Sequence, residues 1–149
     1  MIAAVNYGLI ENCHVGEGEI NVTSSTAVRL EIDIGGLVGL HLGRIENCTN
    51  WATINTDITT SHYILLLVGG IASTVEGANS QIINCTNYGE INAYAIGKGS
   101  WNKEIAVGGI CGCNSTNSKV DNSANLASVN STVELLKNNN TAFSFAGGV

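Results

Sequence analysis

The chain has 149 residues, the usual length of one domain, and carries 6 lysines and arginines against 12 aspartates and glutamates. The net charge of −6 excludes a nucleic-acid surface, because so few scattered cations cannot neutralise a row of phosphates. The 18 glycines, the lack of proline and the abundant asparagine, threonine, isoleucine and valine favour strands and turns over helices.

No apolar run approaches the roughly twenty residues that a membrane-spanning helix needs. The longest run, "YILLLVGGIA" at 63–72, is typical of a buried strand that enters a turn. We therefore expect no membrane span in this chain.

One phrase recurs along the chain, as "LIENCHVGEGEINV" at 9–22, "RIENCTNWATINT" at 44–56 and "IINCTNYGEINA" at 82–93. A decayed fourth copy places Ser123 where the others have cysteine, and this column advances by 35, 37 and 38 residues. Self-similarity at such a period is typical of a stacked-repeat fold.

Each copy ends in a strand pattern followed by two glycines. In the first copy Val28, Leu30, Ile32 and Ile34 alternate with polar residues, which predicts a strand with one buried face. The apolar positions before and after the glycine pair are three apart, so the chain must bulge or turn there if both point inward. We expect glycine at these corners because it permits unusual backbone angles. The corner glycines are Gly35, Gly36, Gly69, Gly70, Gly108, Gly109, Gly147 and Gly148.

A second kind of corner is indicated by an Asn-x-Gly pattern, found at Asn6-Tyr7-Gly8 and at Asn87-Tyr88-Gly89. Together these features predict an all-β chain that forms a parallel β-helix, or β-solenoid. We expect about four coils of 35–38 residues with three strands per coil, each coil about 4.8 Å from the next.

Residues 1–149 are predicted to form a single β-solenoid domain. Both ends fall within recognisable repeats, so we expect this domain to be a fragment of a longer repeat protein. Unpaired strand edges at the terminal coils would then be covered by flanking repeats or by end-to-end self-association.

Two columns of the repeat place identical residues above one another. The asparagine column is interpreted as a structural ladder, with a row of ligand-binding amides as the alternative. The cysteine column is interpreted as stacked buried thiols, although a disulfide between Cys48 and Cys85 is sterically allowed. Cys111 and Cys113 lack the paired spacing of a zinc site, so no metal is expected. The two columns are Asn12, Asn47, Asn84 and Asn122, and Cys13, Cys48 and Cys85.

Trp51 and Tyr88 occupy equivalent positions in neighbouring copies, where the fourth copy has Leu126. Facing solvent, they would form an aromatic strip able to stack on sugar rings. Facing inward, they would be ordinary core residues. This strip is the best binding hypothesis that the sequence offers.

Enzymes built on parallel β-helices need carboxylates that converge on one face, often beside a cation. Here Glu11, Glu46 and Asp121 share a column that Ile83 interrupts, and we expect no lysine or arginine to recur beside it. The column is interpreted as a solvated edge or a weak cation site. We predict no catalytic residues, no cofactor and no metal.

The segment "IGGLVGLHLGRIENC" at 34–48 resembles the GLUG repeat, which is named for its Gly-Leu-apolar-Gly motif. Gly36, Leu37, Val38 and Gly39 match that motif, and later copies drift from it. The resemblance implies a non-catalytic, adhesin-like repeat region of a large bacterial surface or secreted protein. Candidate partners are host or neighbouring-cell glycans or matrix proteins, and the family supplies no catalytic residues.

The resemblance likewise implies an extracellular or cell-surface location. The sequence itself does not indicate it, because Met1 leads into the first repeat without a signal-peptide pattern. The competing interpretation is a carbohydrate-binding module or a fragment of a polysaccharide-processing β-helix enzyme. Solvent-facing Trp51 and Tyr88 would favour the binding module, whereas a cleft with converging carboxylates would favour the enzyme.

Overall fold

A computed structural model describes residues 1–136 and 141–147, and the regular secondary structure in these residues is all β-strand. Coil 1 contains β1 (Ala3–Asn6), β2 (Leu9–Glu11), β3 (His14–Val15), β4 (Glu19–Thr26) and β5 (Leu30–Gly35). Coil 2 contains β6 (Val38–His41), β7 (Arg44–Glu46), β8 (Thr49–Asn50), β9 (Thr53–Thr60) and β10 (Ile64–Gly69). Coil 3 contains β11 (Ala72–Val75), β12 (Gln81–Ile83), β13 (Thr86–Asn87), β14 (Ile91–Gly97) and β15 (Lys103–Gly108). Coil 4 contains β16 (Cys111–Asn114), β17 (Lys119–Asp121), β18 (Ala124–Asn125), β19 (Val129–Leu135) and β20 (Ala142–Gly147).

Equivalent strands of the four coils pair in parallel and form five four-stranded sheets. We number these sheets 1 to 5 by the position of their strands within a coil, so that β1 belongs to sheet 1 and β5 to sheet 5. The register is regular, as where Leu66 of coil 2 lies opposite Ile32 of coil 1 and Ile105 of coil 3. The prediction of a parallel β-solenoid of about four coils is therefore confirmed.

The expected number of three strands per coil is wrong, because each coil has five. Part of the difference arises at the asparagine column between sheets 2 and 3. There the backbone takes left-handed φ values of 54°, 55°, 52° and 45°, which asparagine tolerates better than most residues. This turn divides the repeated phrase into one strand of three residues and one of two, as in β2 and β3. The turning residues are Asn12, Asn47, Asn84 and Asn122.

The interior is divided into two apolar clusters. Sheets 4 and 5 enclose the first, which includes Ile54, Leu66, Ile91 and Ile105. Sheets 1 to 3 enclose the second, which includes Leu37, Ile45, Ile71 and Ile82. These eight side chains are all fully buried, and each such burial contributes roughly 1.5–3 kcal/mol. Hydrophobic burial therefore fixes the cross-section of the two central coils, and the matching apolar residues of coils 1 and 4 are partly buried.

The glycine pairs lie where one cluster gives way to the other. Ile34, before the first pair, packs in the first cluster, and Leu37, after it, packs in the second. Both columns point inward, as the odd spacing indicated, but they point into separate cores. The Gly-Gly corner is thus the point in each coil where the chain passes from the first apolar cluster to the second.

The expected reason for glycine at these corners was wrong. In the described residues, positive φ occurs among glycines only at Gly18 and Gly77. The requirement is space: a Cβ on Gly35 would lie 1.8 Å from the carbonyl oxygen of Val38, and one on Gly69 equally close to that of Ala72. Gly36, Gly70 and Gly108 are similarly crowded by backbone atoms. Around Gly147 nothing lies within 4 Å, and Gly148 is outside the described residues.

Candidate functional site

Trp51 and Tyr88 stack on one another at the corner between sheets 3 and 4. Their ring centroids are 3.9 Å apart and their planes differ by 9°. Both side chains remain open to solvent, with 45% of Trp51 and 37% of Tyr88 exposed. The pair is therefore on the surface, which is the placement that the binding hypothesis requires.

The two outer faces of this stack have different neighbours. Tyr88 follows Asn87, which pairs with Asn125, so Leu126 of coil 4 lies opposite its outer side. Trp51 follows Asn50, which pairs with Val15, so its outer side lies opposite Gly16 of coil 1. A Cβ added at Gly16 would meet nothing within 4 Å. The outer face of the Trp51 indole is therefore not covered by a side chain from the matching position of coil 1.

A buried ladder of asparagine amides holds the turn that carries each aromatic residue. The Nδ2 of Asn50 donates to Asn87 Oδ1, and that of Asn87 donates to Asn125 Oδ1, both at 2.8 Å. The same Nδ2 groups donate across the turn, from Asn50 to the Ala52 carbonyl and from Asn87 to the Gly89 carbonyl. Such bonds fix the backbone on both sides of Trp51 and Tyr88. The sequence interpretation missed this ladder, although its asparagines recur two positions after the cysteine column.

The asparagine column that the sequence singled out lies on the outside of the solenoid. Asn84 Nδ2 donates to Asn47 Oδ1 at 3.2 Å, and Asn122 Nδ2 donates to Asn84 Oδ1 at 2.6 Å. These amides bond to each other along the axis, and their left-handed backbone makes the turn between sheets 2 and 3. Asn12 has the same backbone conformation in coil 1.

A third asparagine ladder crosses the outer face of sheet 4. Asn55 donates to Asn21 at 2.9 Å, Asn92 to Asn55 at 3.0 Å and Asn130 to Asn92 at 2.9 Å. An amide has two N–H donors and two acceptor lone pairs, so the ladder leaves hydrogen-bonding capacity facing outward. The pattern was visible in the sequence as the apolar-Asn pair that ends each repeated phrase.

The cysteine column lies inside the second core, and all five cysteines of the chain are free thiols. Cys48 and Cys85 are fully buried, and the backbone N–H of Cys13 donates to Cys48 Sγ at 3.4 Å. Burial raises the pKa of the Cys85 thiol from 9.0 to about 11. A thiol with so high a pKa is a poor nucleophile at neutral pH, so these sulfurs act as packing groups.

The carboxylate column does not form a convergent site. Glu11, Glu46 and Asp121 lie in register with Ile83 between them. The Arg44 side chain donates to Glu46 Oε2 through Nε at 2.8 Å. Likewise, Lys119 Nζ donates to Asp121 Oδ2 at 2.7 Å and lowers the pKa of that carboxyl.

The view that no cation stands beside this column was therefore wrong, because a basic residue two positions earlier in the strand reaches the same face. Among the described residues, no group of three or more histidine, cysteine, aspartate or glutamate side chains could hold a metal ion.

A second aromatic cluster, missed in the sequence, lies at the corner between sheets 4 and 5. It consists of Arg29, His62, Tyr63 and Trp101, which line a pocket of about 260 Å³. The His62 and Trp101 rings stack with centroids 4.5 Å apart and planes 19° apart. The Arg29 guanidinium lies 5.1 Å from the centroid of the Tyr63 ring, within cation–π range.

A buried lysine supports this second cluster from inside. Lys103 is fully buried, and its Nζ donates to the backbone carbonyl of Trp101 at 2.5 Å. Burial lowers the pKa of the ammonium. The alkyl chain lies against Gly97, where a Cβ would come within 2.7 Å of the lysine Cε. The segment that carries Trp101 is thus tied to the core through its backbone.

Comparison with known families identifies one match: the GLUG motif fits residues 32–55. This segment runs from β5 through the Gly-Gly corner to the start of β9, and it includes Trp51. Searches of curated proteins and of solved structures found no match. No helix in the described part of the chain is long and apolar enough to cross a membrane. The GLUG match and the β-solenoid fold together fit a structural repeat module.

Proposed function

We propose that this chain is a non-catalytic structural repeat module of a bacterial cell-surface or secreted protein, and that it binds carbohydrate through Trp51. The observation that carries the binding proposal is the indole face opposite Gly16, which the matching residue of coil 1 leaves uncovered. The extracellular or cell-surface location and the adhesive role extend the GLUG resemblance of residues 32–55.

The chemistry of the stack suits a sugar. The C–H groups on one side of a pyranose ring form an apolar patch that packs on an aromatic face, while its hydroxyl groups need polar neighbours. Tyr88 supports the indole from behind, and the buried amide ladder fixes the turn. Little side-chain freedom is then lost on binding, which favours affinity.

The competing interpretation, a fragment of a polysaccharide-processing enzyme, is less well supported. In two of the four coils the carboxylate that would serve as acid or base is paired with a cation. General acid–base catalysis needs carboxylates placed around a bound substrate. We therefore favour binding without catalysis.

The binding proposal is tested by presenting the chain to an array of glycans and matrix proteins. Trp51→Ala and Tyr88→Ala variants are compared with Tyr7→Ala, which removes an exposed aromatic residue outside the stack. We expect a glycan signal that is lost in Trp51→Ala and kept in Tyr7→Ala. No glycan signal from folded protein, or an equal loss of signal in Trp51→Ala and Tyr7→Ala, would contradict the proposal.

We further propose that the solenoid associates end to end, with flanking repeats or with a second copy. Within the described residues, each strand of coils 1 and 4 pairs with another coil on one side only. Exposed apolar side chains lie at both coils, among them Ile2 and Val5 in coil 1 and Phe143 and Phe145 in coil 4. Unpaired edges of this kind recruit further strands. Sedimentation that stays monomeric at high protein concentration would contradict self-association.

A further inference from the structure

From the arrangement of the two aromatic stacks, we infer that the module binds an uncharged, extended glycan that lies across the outer face of sheet 4. One end contacts Trp51, and the other contacts the second aromatic cluster of Arg29, His62, Tyr63 and Trp101. This inference rests on the proposed function and assigns that site a ligand class and a second contact point.

The two stacks lie at opposite ends of the same strands. Trp51 precedes β9 and His62 follows it, and in the next coil Tyr88 precedes β14 and Trp101 follows it. The eight residues of β9 span about 26 Å at about 3.3 Å per residue. A single sugar ring cannot reach both stacks, so the geometry fits a chain of several sugars.

The surface between the stacks is suited to hydroxyl groups. The outward positions of β9 carry Thr53, Asn55, Asp57 and Thr59, and alternate positions are buried. Asn55 belongs to the exposed amide ladder, which has unused donors and acceptors. Sugar hydroxyls both donate and accept hydrogen bonds, so an amide row complements them without requiring charge.

The charge of this face selects against acidic glycans. The strands of sheet 4 carry three outward carboxylates and, in the described residues, neither lysine nor arginine. Just outside β14, Glu90 precedes the strand and Lys98 follows it. A uronate or sulfated chain would meet like charge along the strands, which raises its free energy of binding. The three carboxylates within the strands are Glu19, Asp57 and Glu134.

The second cluster has the features of an end site. The stacked His62 and Trp101 rings and the Tyr63 ring bound this pocket, which gives a sugar ring an aromatic surface to pack on. The Arg29 side chain is already paired with Glu31, so it offers little net charge to an anion. The pocket of about 260 Å³ is smaller than the roughly 300–1,000 Å³ of drug-sized ligand sites and suits a single ring.

The test uses isothermal titration with uncharged β-1,4-linked oligosaccharides of glucose and of N-acetylglucosamine, in a series of increasing length. Uronate oligosaccharides of matched length serve as the charged comparison. The variants are Trp51→Ala and Trp101→Ala. The latter keeps the backbone carbonyl to which Lys103 donates, so the supporting hydrogen bond is retained.

We expect affinity for the uncharged series to rise at least about tenfold once the ligand spans both stacks, through the effective concentration of the second contact. Trp101→Ala should lose this gain while binding short ligands normally, and Trp51→Ala should weaken binding at every length. Short ligands bound without any gain from length, or tighter binding of uronates, would overturn this inference and leave the proposed function standing. Absence of binding by every uncharged oligosaccharide would overturn both.

Discussion

The Trp51 and Tyr88 rings lie 3.9 Å apart, so each covers one face of the other, and the matching residue beyond Trp51 is a glycine. On the far side of Tyr88 the matching residue is Leu126. The stack is therefore asymmetric along the solenoid axis. Trp51 is the ring that offers a face to a ligand, and Tyr88 is its support.

This asymmetry predicts different effects for two truncations. Trp51→Ala removes the ring that contacts the ligand and should cause the larger loss of carbohydrate affinity, whereas Tyr88→Ala should weaken binding by only about 0.5–1.5 kcal/mol, the contribution of one aromatic pair. Affinities measured by isothermal titration distinguish the two variants. Equal losses, or a larger loss in Tyr88→Ala, would indicate that the ligand contacts the tyrosine instead.

The close backbone packing at the Gly-Gly corners predicts that even an alanine there lowers the stability of the fold. In Gly69→Ala the new Cβ would lie 1.8 Å from the Ala72 carbonyl oxygen, so backbone must shift. We expect a loss of about 3 kcal/mol in the free energy of unfolding, or no folded protein. Gly16→Ala is the matched control, because its Cβ meets open space. Urea denaturation measures both, and similar stability of the two variants would contradict this account.

The asparagine ladders predict that removing a buried amide destabilises the fold more than removing one on the outer face. Asn87→Ala removes hydrogen bonds to Asn50, Asn125 and the backbone of Gly89, and leaves the polar groups of Asn50 and Gly89 buried without these partners. We expect it to cost about 2–4 kcal/mol of unfolding free energy, since each unpaired buried group costs about 1–3 kcal/mol. Asn92→Ala, in the ladder on the outer face of sheet 4, should cost less than about 1 kcal/mol. Chemical denaturation of the two variants would refute the contrast if their losses were equal.

The burial of His41 predicts how the free energy of unfolding changes with pH. The ring is fully buried, its Nε2 donates to the Gln81 carbonyl at 3.2 Å and its Nδ1 accepts from Asn6 Nδ2 at 3.2 Å. Burial lowers its pKa, so the unfolded chain binds a proton more readily than the folded one. The free energy of unfolding should therefore fall as pH drops below about 6.5, and be regained above that value.

The matched variants for this prediction are His41→Asn and His14→Asn. Asparagine is the natural residue at the equivalent position of coil 4, where Asn114 shares the register of His41 through Val75. His14 is exposed and contacts Thr49. Denaturation in urea across this pH range should show a smaller acid loss in His41→Asn and an unchanged one in His14→Asn. An undiminished loss in His41→Asn would show that the acid sensitivity lies elsewhere.

Much of this fold could be predicted because the repeat is written in the sequence. The cysteine and asparagine columns advance by nearly constant steps, so Cys48 and Cys85 could be placed above one another before any coordinates. The second aromatic cluster was missed because its spacing varies. Three residues separate Thr60 from Ile64 in coil 2, whereas five separate Gly97 from Lys103 in coil 3. Only the parallel register brings His62 opposite Trp101.

The short Asn-x-Gly pattern predicts the local turn correctly but does not predict where in the coil that turn lies. Asn6 and Asn87 each donate from Nδ2 to the carbonyl of the glycine two residues later, at 3.0 and 2.8 Å. Yet Asn6 lies in sheet 1 opposite His41, and Asn87 lies in sheet 3 opposite Asn50. The same Asn-x-Gly turn thus serves two different corners. Its hydrogen bonds depend on neighbouring residues alone, whereas its place in the coil depends on the whole repeat.

The measurement that tests the central claim most directly is carbohydrate binding by a Gly16→Leu variant, in which Trp51 and Tyr88 are untouched. Leucine at this position would lie beside the indole, as Leu126 lies opposite Tyr88 in the register, and a Cβ at Gly16 meets nothing within 4 Å. The account predicts a variant as stable as the parent chain that binds the glycan much more weakly. Undiminished binding by this variant would contradict the account, because the face assigned to the ligand would then be blocked without consequence.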